Sequence, residues 1–229
     1  MTTISANLQA VRARIEAAAR KYGRNPGDIS LLAVSKTWPA ADVRQAVAAG
    51  QREFGENYVQ EGVDKVIELA AAGLIWHFIG PLQSNKTRRV AETFDWVHSI
   101  DRLKIAERLS EQRPETLPPM QICLQINISG EETKSGLGVS ELPDLAAQVA
   151  RLPRLKLRGL MAIPAPLADF DAQRQSFRQV RQVYEQLQHA GLALDTLSMG
   201  MTHDLEAAIA EGATMVRVGT AIFGERNKS

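Results

Sequence analysis

Two groups of residues far apart in the chain could together hold a small phosphorylated aldehyde. Lys36 ends the apolar, strand-like run LLAVSK, where partial loss of solvation lowers the pKa of a lysine amine and frees it to attack an aldehyde. The late segment MVRVGTAIFG supplies Gly219 and Thr220, whose backbone and hydroxyl groups suit a phosphate. An amine for an aldehyde and a loop for a phosphate are the two halves of a pyridoxal 5'-phosphate (PLP) site. The alternative is that Lys36 reaches the surface or pairs with Glu56.

The phosphate half of this site is predicted in two loops. SMGMT, from Ser198 to Thr202, and GTAIFG, from Gly219, follow the seventh and eighth apolar runs, where α/β barrels often bind phosphate. Glycines let backbone N–H groups approach the oxygens, and Ser198, Thr202 and Thr220 can add hydroxyl donors. Glycines that only permit tight turns are the alternative interpretation.

Arg217 stands two residues before Gly219, so strand alternation puts both side chains on the same side. A guanidinium group donates hydrogen bonds and does not accept a proton. At a pyridine nitrogen it would keep that nitrogen unprotonated and weaken the ring as an electron sink, which favours holding the cofactor over carbanion chemistry. The alternative is an ion pair with Glu206 or Glu225.

Other polar residues give weaker indications. His77, in WHFIGPLQSNKTRRV, could contact a ring or a phosphate, or it could be a hydrogen-bonded structural residue. Lys134 could be a secondary amine near the barrel mouth, with a solvated surface lysine as the alternative. Lys86, Arg88 and Arg89 are most simply a solvated helix face. The sequence contains no GxSxG, HExxH, CxxC or P-loop motif, and its histidines lack metal-ligand spacing.

Composition narrows the class of protein. The chain has 229 residues, 45% of them hydrophobic, which suits one α/β barrel domain over residues 1–229. Its 27 basic and 26 acidic residues give a net charge of +1, which does not favour nucleic acid as a partner. No apolar run approaches the about 18 residues of a membrane helix. Cys123, the one cysteine, lies in an apolar run and is predicted to be a buried, inert thiol.

The amino terminus predicts an amphipathic helix. Leu8, Val11, Ile15 and Ala18 fall on one face, with charged residues on the other. A signal peptide would have a continuous apolar core instead, so the protein is expected to be cytoplasmic.

Eight short apolar runs then alternate with helical stretches. The runs are ISLLAVSK, REFGEN, WHFIG, WVHSI, MQICLQINI, LKLRGLMAI, DTLSMG and MVRVG. Strands separated by helices indicate a parallel sheet, and eight of them are the number that closes a barrel. We therefore predict a (β/α)8 TIM-type barrel with an extra N-terminal helix. An open doubly wound sheet ranks second, because a GxGxxG turn does not follow the first strand.

Several long strings make the chain resemble a known family. They are AVSKTW, FGENYVQE, WHFIGPLQSNK, INISGEETKSG, RGLMAIP, LSMGMTHDLEAAI and VRVGTAIFG, in that order. With these strings the chain resembles the pyridoxal phosphate homeostasis protein family over nearly its full length.

The resemblance implies a single barrel like the N-terminal domain of alanine racemase, the PLP fold type III, with PLP held as a Schiff base on Lys36. The further cofactor-binding residues that it implies are Ser198, Thr202, Gly219 and Thr220 at the phosphate, Arg217 at the pyridine nitrogen, and Asn57 and His77 near the ring. Two residues depart from the family pattern. Trp38 stands where lysine is common, so help from a second amine is in doubt, and Thr202 replaces a commoner serine while keeping the hydroxyl.

Family members resemble cofactor carriers or buffers that influence free PLP and amino-acid metabolism, with PLP-dependent apo-enzymes as potential recipients. A small racemase or lyase, with Lys36 or Tyr58 as its base, is the alternative function. A racemase of this barrel type takes its second base from an added C-terminal domain and a dimer contact, whereas this sequence stops at Ser229. We therefore expect a monomeric, non-catalytic PLP-binding protein.

Overall fold

The structure is a computed structural model that describes residues 3–128 and 136–225. Lys134, which the sequence suggested as a secondary amine, lies outside the described residues.

Parallel strands form the centre of the molecule and close into a barrel in chain order, β1 to β8. The strands are β1 (Ser30–Val34), β2 (Glu53–Glu56), β3 (Ile75–Phe78), β4 (Trp96–Ile100), β5 (Met120–Ile126), β6 (Leu155–Ala162), β7 (Thr196–Ser198) and β8 (Met215–Val218). The barrel closes between β1 and β8, where Leu32 is the partner of Arg217. The predicted barrel is confirmed, and its closure excludes the open doubly wound sheet.

Helices follow the strands and surround the barrel. They are α1 (Ile4–Lys21), α2 (Ala40–Ala48), α3 (Val59–Glu68), α4 (Thr87–Thr93), α5 (Leu103–Gln112), α6 (Leu142–Val149), α7 (Phe170–His189), α8 (Leu205–Ala210) and α9 (Thr220–Phe223). The predicted N-terminal helix is α1, and its apolar face is buried against α8, α9 and α2. No helix within the described ranges is both long and apolar enough to cross a membrane.

Strand alternation separates two interiors. Outward-facing residues such as Phe54 of β2 and Phe78 of β3 are fully buried between the sheet and the helices, in the main hydrophobic core. Inside the barrel, polar side chains from several strands meet instead, including His77, His98 and Arg217, all at most 4% exposed. The mouth at the carboxyl ends of the strands is where a barrel of this class places its functional groups.

Candidate functional site

A cavity of about 220 Å³ opens at the carboxyl ends of the strands. Its lining consists of Val34, Lys36, Asn57, Ile79, Ile163, Met201, Thr202, His203, Arg217, Gly219 and Thr220. This volume is below the about 300–1,000 Å³ that is usual for sites of drug-sized ligands, so the cavity suits a small molecule.

The structure brings most of the sequence-predicted residues to this one cavity. Six of them line it, namely Lys36, Asn57, Thr202, Arg217, Gly219 and Thr220. Two do not. Ser198 and His77 are fully buried deeper in the barrel, where they contact His98.

Lys36 lies on a turn whose backbone is fixed from both sides. The residue before it, Ser35, donates its hydroxyl to Glu56 Oε1 at 2.6 Å and accepts a hydrogen bond from Lys65 Nζ at its carbonyl oxygen, at 2.7 Å. The residue after it, Thr37, donates its N–H to Glu61 Oε1 at 2.5 Å. These contacts anchor the backbone on both sides of Lys36 to β2 and α3, and its side chain is partly buried at the cavity.

Thr37 is the one non-glycine residue among those described with a left-handed φ, of 67°. A β-branched residue is strained in this region, and strained backbone persists only where neighbouring contacts hold it. Glu61 supplies such a contact, and Glu61 is itself bound by Lys65 at 2.7 Å. Backbone strain therefore lies directly beside the predicted reactive amine.

Asn57 presents an unused hydrogen-bond acceptor at the cavity. Its Oδ1 atom is buried and has no partner among the described residues. Its backbone packs so tightly that a Cβ added to Gly80 would lie 2.2 Å from the Asn57 carbonyl oxygen. Buried polar atoms are nearly always hydrogen-bonded in folded proteins, so the orphaned amide oxygen indicates a place for a ligand.

The opposite side of the cavity is formed by Gly219 and the start of α9. The N–H groups of Ile222 and Phe223 bond to the Gly219 carbonyl oxygen, both at 2.9 Å, so the first two N–H groups of α9 are the ones that could meet an anion. A Cβ added to Gly219 would lie 3.1 Å from the Val34 carbonyl oxygen, so only glycine fits there without displacement. Trp38 stacks on Phe223 of α9, with ring centroids 6.0 Å apart, and so supports this short helix.

The loop after β7 completes this side. Asp204 Oδ1 accepts a hydrogen bond from the Met201 N–H at 2.6 Å, which closes the loop around Thr202. Burial raises the pKa of Asp204, and the nearby Arg217 charge opposes that shift. The extra helix α1 braces both rim segments, because Arg14 donates to the Thr202 carbonyl oxygen at 3.0 Å and Asn7 donates to that of Ile222 at 2.8 Å.

Arg217 reaches the cavity from β8, and no carboxylate of the residues that the structure describes is hydrogen-bonded to it. It donates to the Ser198 hydroxyl at 2.8 Å, to the Ser198 carbonyl oxygen, and to the Ala162 carbonyl oxygen at 2.9 Å. Glu206, one proposed ion-pair partner, instead binds Lys21. Burial lowers the pKa of Arg217 to about 10, so the guanidinium stays charged at neutral pH.

His77 and His98 form a buried pair below the cavity. Their Nδ1 and Nε2 atoms are 2.9 Å apart, and His77 also stacks on Trp96 at 5.2 Å. Burial lowers the pKa of His77 to about 3. Burial also lowers the pKa of His98 well below its ordinary value, and the Arg217 charge adds to the effect. Both rings are therefore neutral at physiological pH.

Sequence reasoning missed four lining residues, Val34, Ile79, Ile163 and His203, whereas Met201 lies within the predicted loop SMGMT. The two isoleucines could have been predicted from the sequence, because each directly follows the end of a strand. His203 was noted only as a histidine without metal-ligand spacing, yet it stands next to Thr202 at the rim. Among the described residues there is no group of His, Cys, Asp and Glu side chains that could hold a metal ion.

The arrangement thus offers an amine, a fixed guanidinium donor, an unsatisfied amide oxygen and an anion-binding rim around one small cavity. Such groups can bind a flat, polar molecule that carries an electrophilic carbon and an anionic group. The chemistry of the donor set fits a phosphorylated aldehyde.

Comparison with known proteins supports this interpretation. Residues 6–227 match the family described as alanine racemase, N-terminal domain. A protein of Pseudomonas aeruginosa named pyridoxal phosphate homeostasis protein is 60% identical over 227 residues, which cover 99% of this chain and 97% of that protein. A protein of Escherichia coli with the same name is 59% identical over 232 residues, which cover 100% of this chain and 99% of that protein.

Two solved structures are similar to this chain in fold. PipY of Synechococcus elongatus with PLP bound superimposes with a TM-score of 0.85 at 40% identity, covering 97% of this chain and 100% of that chain. Alanine racemase from Corynebacterium glutamicum superimposes with a TM-score of 0.66 at 18% identity, covering 97% of this chain and 62% of that chain. The second likeness shows the shared barrel fold alone.

Proposed function

The chain belongs to the pyridoxal phosphate homeostasis protein family, and on that premise we propose that it binds PLP at the barrel mouth and holds it as a Schiff base on Lys36. The observation that carries this proposal is the convergence of Lys36, Arg217 and Gly219 on one cavity of about 220 Å³. When bound, PLP supplies an aldehyde that condenses with amines and a ring that withdraws electrons.

Five residues of the cavity besides Lys36 have a role in this proposal. Thr202, Gly219 and Thr220 would hold the phosphate. Gly219 and Thr220 offer backbone and hydroxyl donors at the start of α9, and Thr202 offers a hydroxyl from the loop after β7. Asn57 would supply its unpartnered Oδ1 atom to the ring substituents. Arg217 would donate to the ring nitrogen and keep it unprotonated.

We propose that the protein holds or buffers PLP and does not turn over amino acids. A donor-only guanidinium at the ring nitrogen weakens the electron withdrawal that proton abstraction needs. Thr202 and Thr220, which line the cavity, are not bases at neutral pH. The names of the relatives refer to homeostasis, which supports this role.

Borohydride reduction of the PLP-loaded protein tests the linkage. The expected result is a single pyridoxyl adduct in the mass spectrum, located on the peptide that contains Lys36. Lys36→Ala should lose both the adduct and the absorbance band of bound PLP while keeping its circular dichroism spectrum. Lys86→Ala, which removes a lysine outside the cavity, should keep both. An adduct on another lysine, or an unchanged spectrum for Lys36→Ala, would end the proposal.

A second candidate function is a weak PLP-dependent racemase or lyase, which the presence of His203 in the lining favours. Incubation of PLP-loaded protein with L-amino acids in deuterated water separates the two functions. Exchange of the α-proton no faster than free PLP produces supports the carrier. Faster exchange that is lost in His203→Gln would establish catalysis.

We also propose that residues 1–229 act as one domain and as a monomer, because the barrel closes on itself without a strand from a second chain. Light scattering coupled to gel filtration measures the mass in solution. A dimer mass at micromolar concentration would contradict this.

A further inference from the structure

A line of polar side chains crosses the barrel interior behind Arg217. The distance from Arg217 NH1 to Ser198 Oγ is 2.8 Å, and Ser198 Oγ lies 2.9 Å from His98 Nδ1. His98 Nε2 lies 2.9 Å from His77 Nδ1, and His77 Nε2 lies 3.7 Å from Glu53 Oε2. Five strands contribute one residue each, so the line connects the cavity floor to the far end of the barrel.

The direction of every hydrogen bond in this line follows from its first member. A guanidinium only donates, so the Ser198 oxygen accepts and its one hydroxyl hydrogen must find another acceptor. The only further partner of Ser198 Oγ among the described residues is His98 Nδ1. His98 Nδ1 is therefore unprotonated, and the neutral ring carries its hydrogen on Nε2.

The tautomer of His77 follows from that of His98. His98 Nε2–H donates to His77 Nδ1, so neutral His77 carries its hydrogen on Nε2. That N–H faces Glu53 Oε2 at 3.7 Å, which is too long for a hydrogen bond but places the N–H beside a carboxylate. The opposite direction would place a hydrogen on His98 Nδ1 and leave the hydroxyl hydrogen of fully buried Ser198 without an acceptor, which is costly. Burial keeps both rings neutral, with the pKa of His77 at about 3.

The line also fixes which hydrogens of Arg217 remain for a ligand. Both NH1 hydrogens are used by Ser198, at its hydroxyl and its carbonyl oxygen, and one NH2 hydrogen is used by Ala162. Within the described residues, the Nε hydrogen and the second NH2 hydrogen have no protein acceptor. Arg217 lines the cavity, so these two hydrogens are the donors that it has left for a ligand there.

We propose that Ser198, His98 and His77 are positioning residues that hold the Arg217 guanidinium toward the cavity and so make the site selective for a ring with an unprotonated nitrogen. Ser198 and His77 then act through Arg217 without touching the ligand. This inference rests on the proposed function only for the identity of the ring, because the hydrogen-bond direction belongs to the protein alone.

The tautomers test the direction without any ligand. Protein labelled with ¹⁵N-histidine gives two-bond ¹H–¹⁵N correlations that distinguish Nδ1–H from Nε2–H rings. His189→Gln and His203→Gln identify the signals of the two exposed rings, which leaves His77 and His98. We expect the Nε2–H form for both. An Nδ1–H form, or a charged ring at neutral pH, for either one overturns the proposal.

Ligand selectivity tests the consequence. Equilibrium dialysis would compare PLP with its analogue that has a C–H group in place of the ring nitrogen. Ser198→Ala should weaken PLP binding about tenfold, the usual scale for one hydrogen bond to a charged group, and should leave binding of the analogue unchanged. Ser110→Ala, which truncates a buried serine of α5, should change neither.

The possible failures are distinguishable. If Ser198→Ala weakened binding of PLP and of the analogue equally, or weakened neither, selectivity through Arg217 would be contradicted. If wild-type protein binds neither ligand, the proposed function fails, and the tautomer measurement still decides the direction of the line.

Discussion

Lys65 Nζ lies 2.7 Å from the carbonyl oxygen of Ser35, the residue before the predicted reactive lysine. The same amine lies 2.7 Å from Oε1 of Glu56 and 2.7 Å from Oε1 of Glu61. The Lys65 side chain is 6% exposed and that of Glu56 is 0% exposed, so this is a buried cluster of charges. The segment FGENYVQEGVDK thus contributes one cavity residue, Asn57, and also the support for Lys36.

Lys65→Met should lower the free energy of unfolding by about 3–5 kcal/mol, because it leaves the Glu56 carboxylate buried without its cation. Urea denaturation followed by circular dichroism measures the change. Arg44→Met is the matched control, since Arg44 and Glu68 pair at 2.9 Å with both side chains about half exposed. It should cost less than about 1 kcal/mol. Equal losses of unfolding free energy in the two variants would show that the buried cluster contributes no more to stability than an exposed ion pair.

Adding Glu56→Gln to Lys65→Met should recover part of the lost stability, because the two groups interact directly and their effects are not additive. If the changes in unfolding free energy from the two substitutions were simply additive, the direct contact between Lys65 and Glu56 would be contradicted.

Glu211 should make stability depend on pH in the acid range. Burial alone would raise the pKa of Glu211, but hydrogen bonds from Arg178 and Arg174 outweigh it and hold the pKa below the ordinary 4.5. A lowered pKa contributes stability that is present above pH 4.5 and is lost as pH falls through the folded value. Below pH 4.5 the unfolding free energy of wild type should therefore fall more steeply than that of Glu211→Gln.

Urea titrations at several pH values measure these slopes. Glu107→Gln, which replaces an exposed glutamate of α5, should follow the wild-type curve. Parallel curves for wild type and Glu211→Gln would exclude the linkage.

Cys123 should not react with disulfide reagents in the folded protein. Its side chain is fully buried, and burial raises the thiol pKa to about 12, so neither access nor thiolate is available. We expect full reaction only in denaturant, measured by release of the coloured thiol product. Glu107→Cys, which adds an exposed thiol, should react once per chain without denaturant. Fast reaction of native Cys123 would show that β5 opens readily.

The fold was predictable because its signal is repeated along the chain. Each apolar run contains all or most of one strand, and β4 covers Trp96–Ile100, the same residues as the run WVHSI. The run WHFIG begins one residue after the start of β3, at Ile75. The buried face of α1 likewise includes Leu8, Val11, Ile15 and Ala18, as the helical spacing predicted. Local periodicity is enough for these features, because each strand or helix buries its own apolar face.

The depth of side chains inside the barrel was not predictable in this way. The alternation of side chains along a strand predicts that His77 faces the barrel interior. The sheet register then places it beside Gly55 and Trp96, below the cavity. Ser198 is displaced from the cavity lining for the same reason, because its neighbour in β8 is Met215. The stagger between strands arises from barrel closure, which a single run does not encode. The Lys65 cluster was missed because a lysine within an amphipathic helix is usually solvated.

Gly80→Ala should reduce both stability and PLP binding. The added methyl would lie 2.2 Å from the carbonyl oxygen of Asn57 and 2.7 Å from its Cα atom, so the backbone of one of the two strand ends must move. Such overpacking costs about 1–3 kcal/mol, and displacement of Asn57 would misplace the acceptor that the cavity offers. Urea denaturation and equilibrium dialysis measure the two effects. Gly27→Ala is the control, because its nearest contact would be an ordinary 3.5 Å to Asn25. Unchanged PLP affinity in a destabilised Gly80→Ala would show that Asn57 supports the fold and does not contact the ligand.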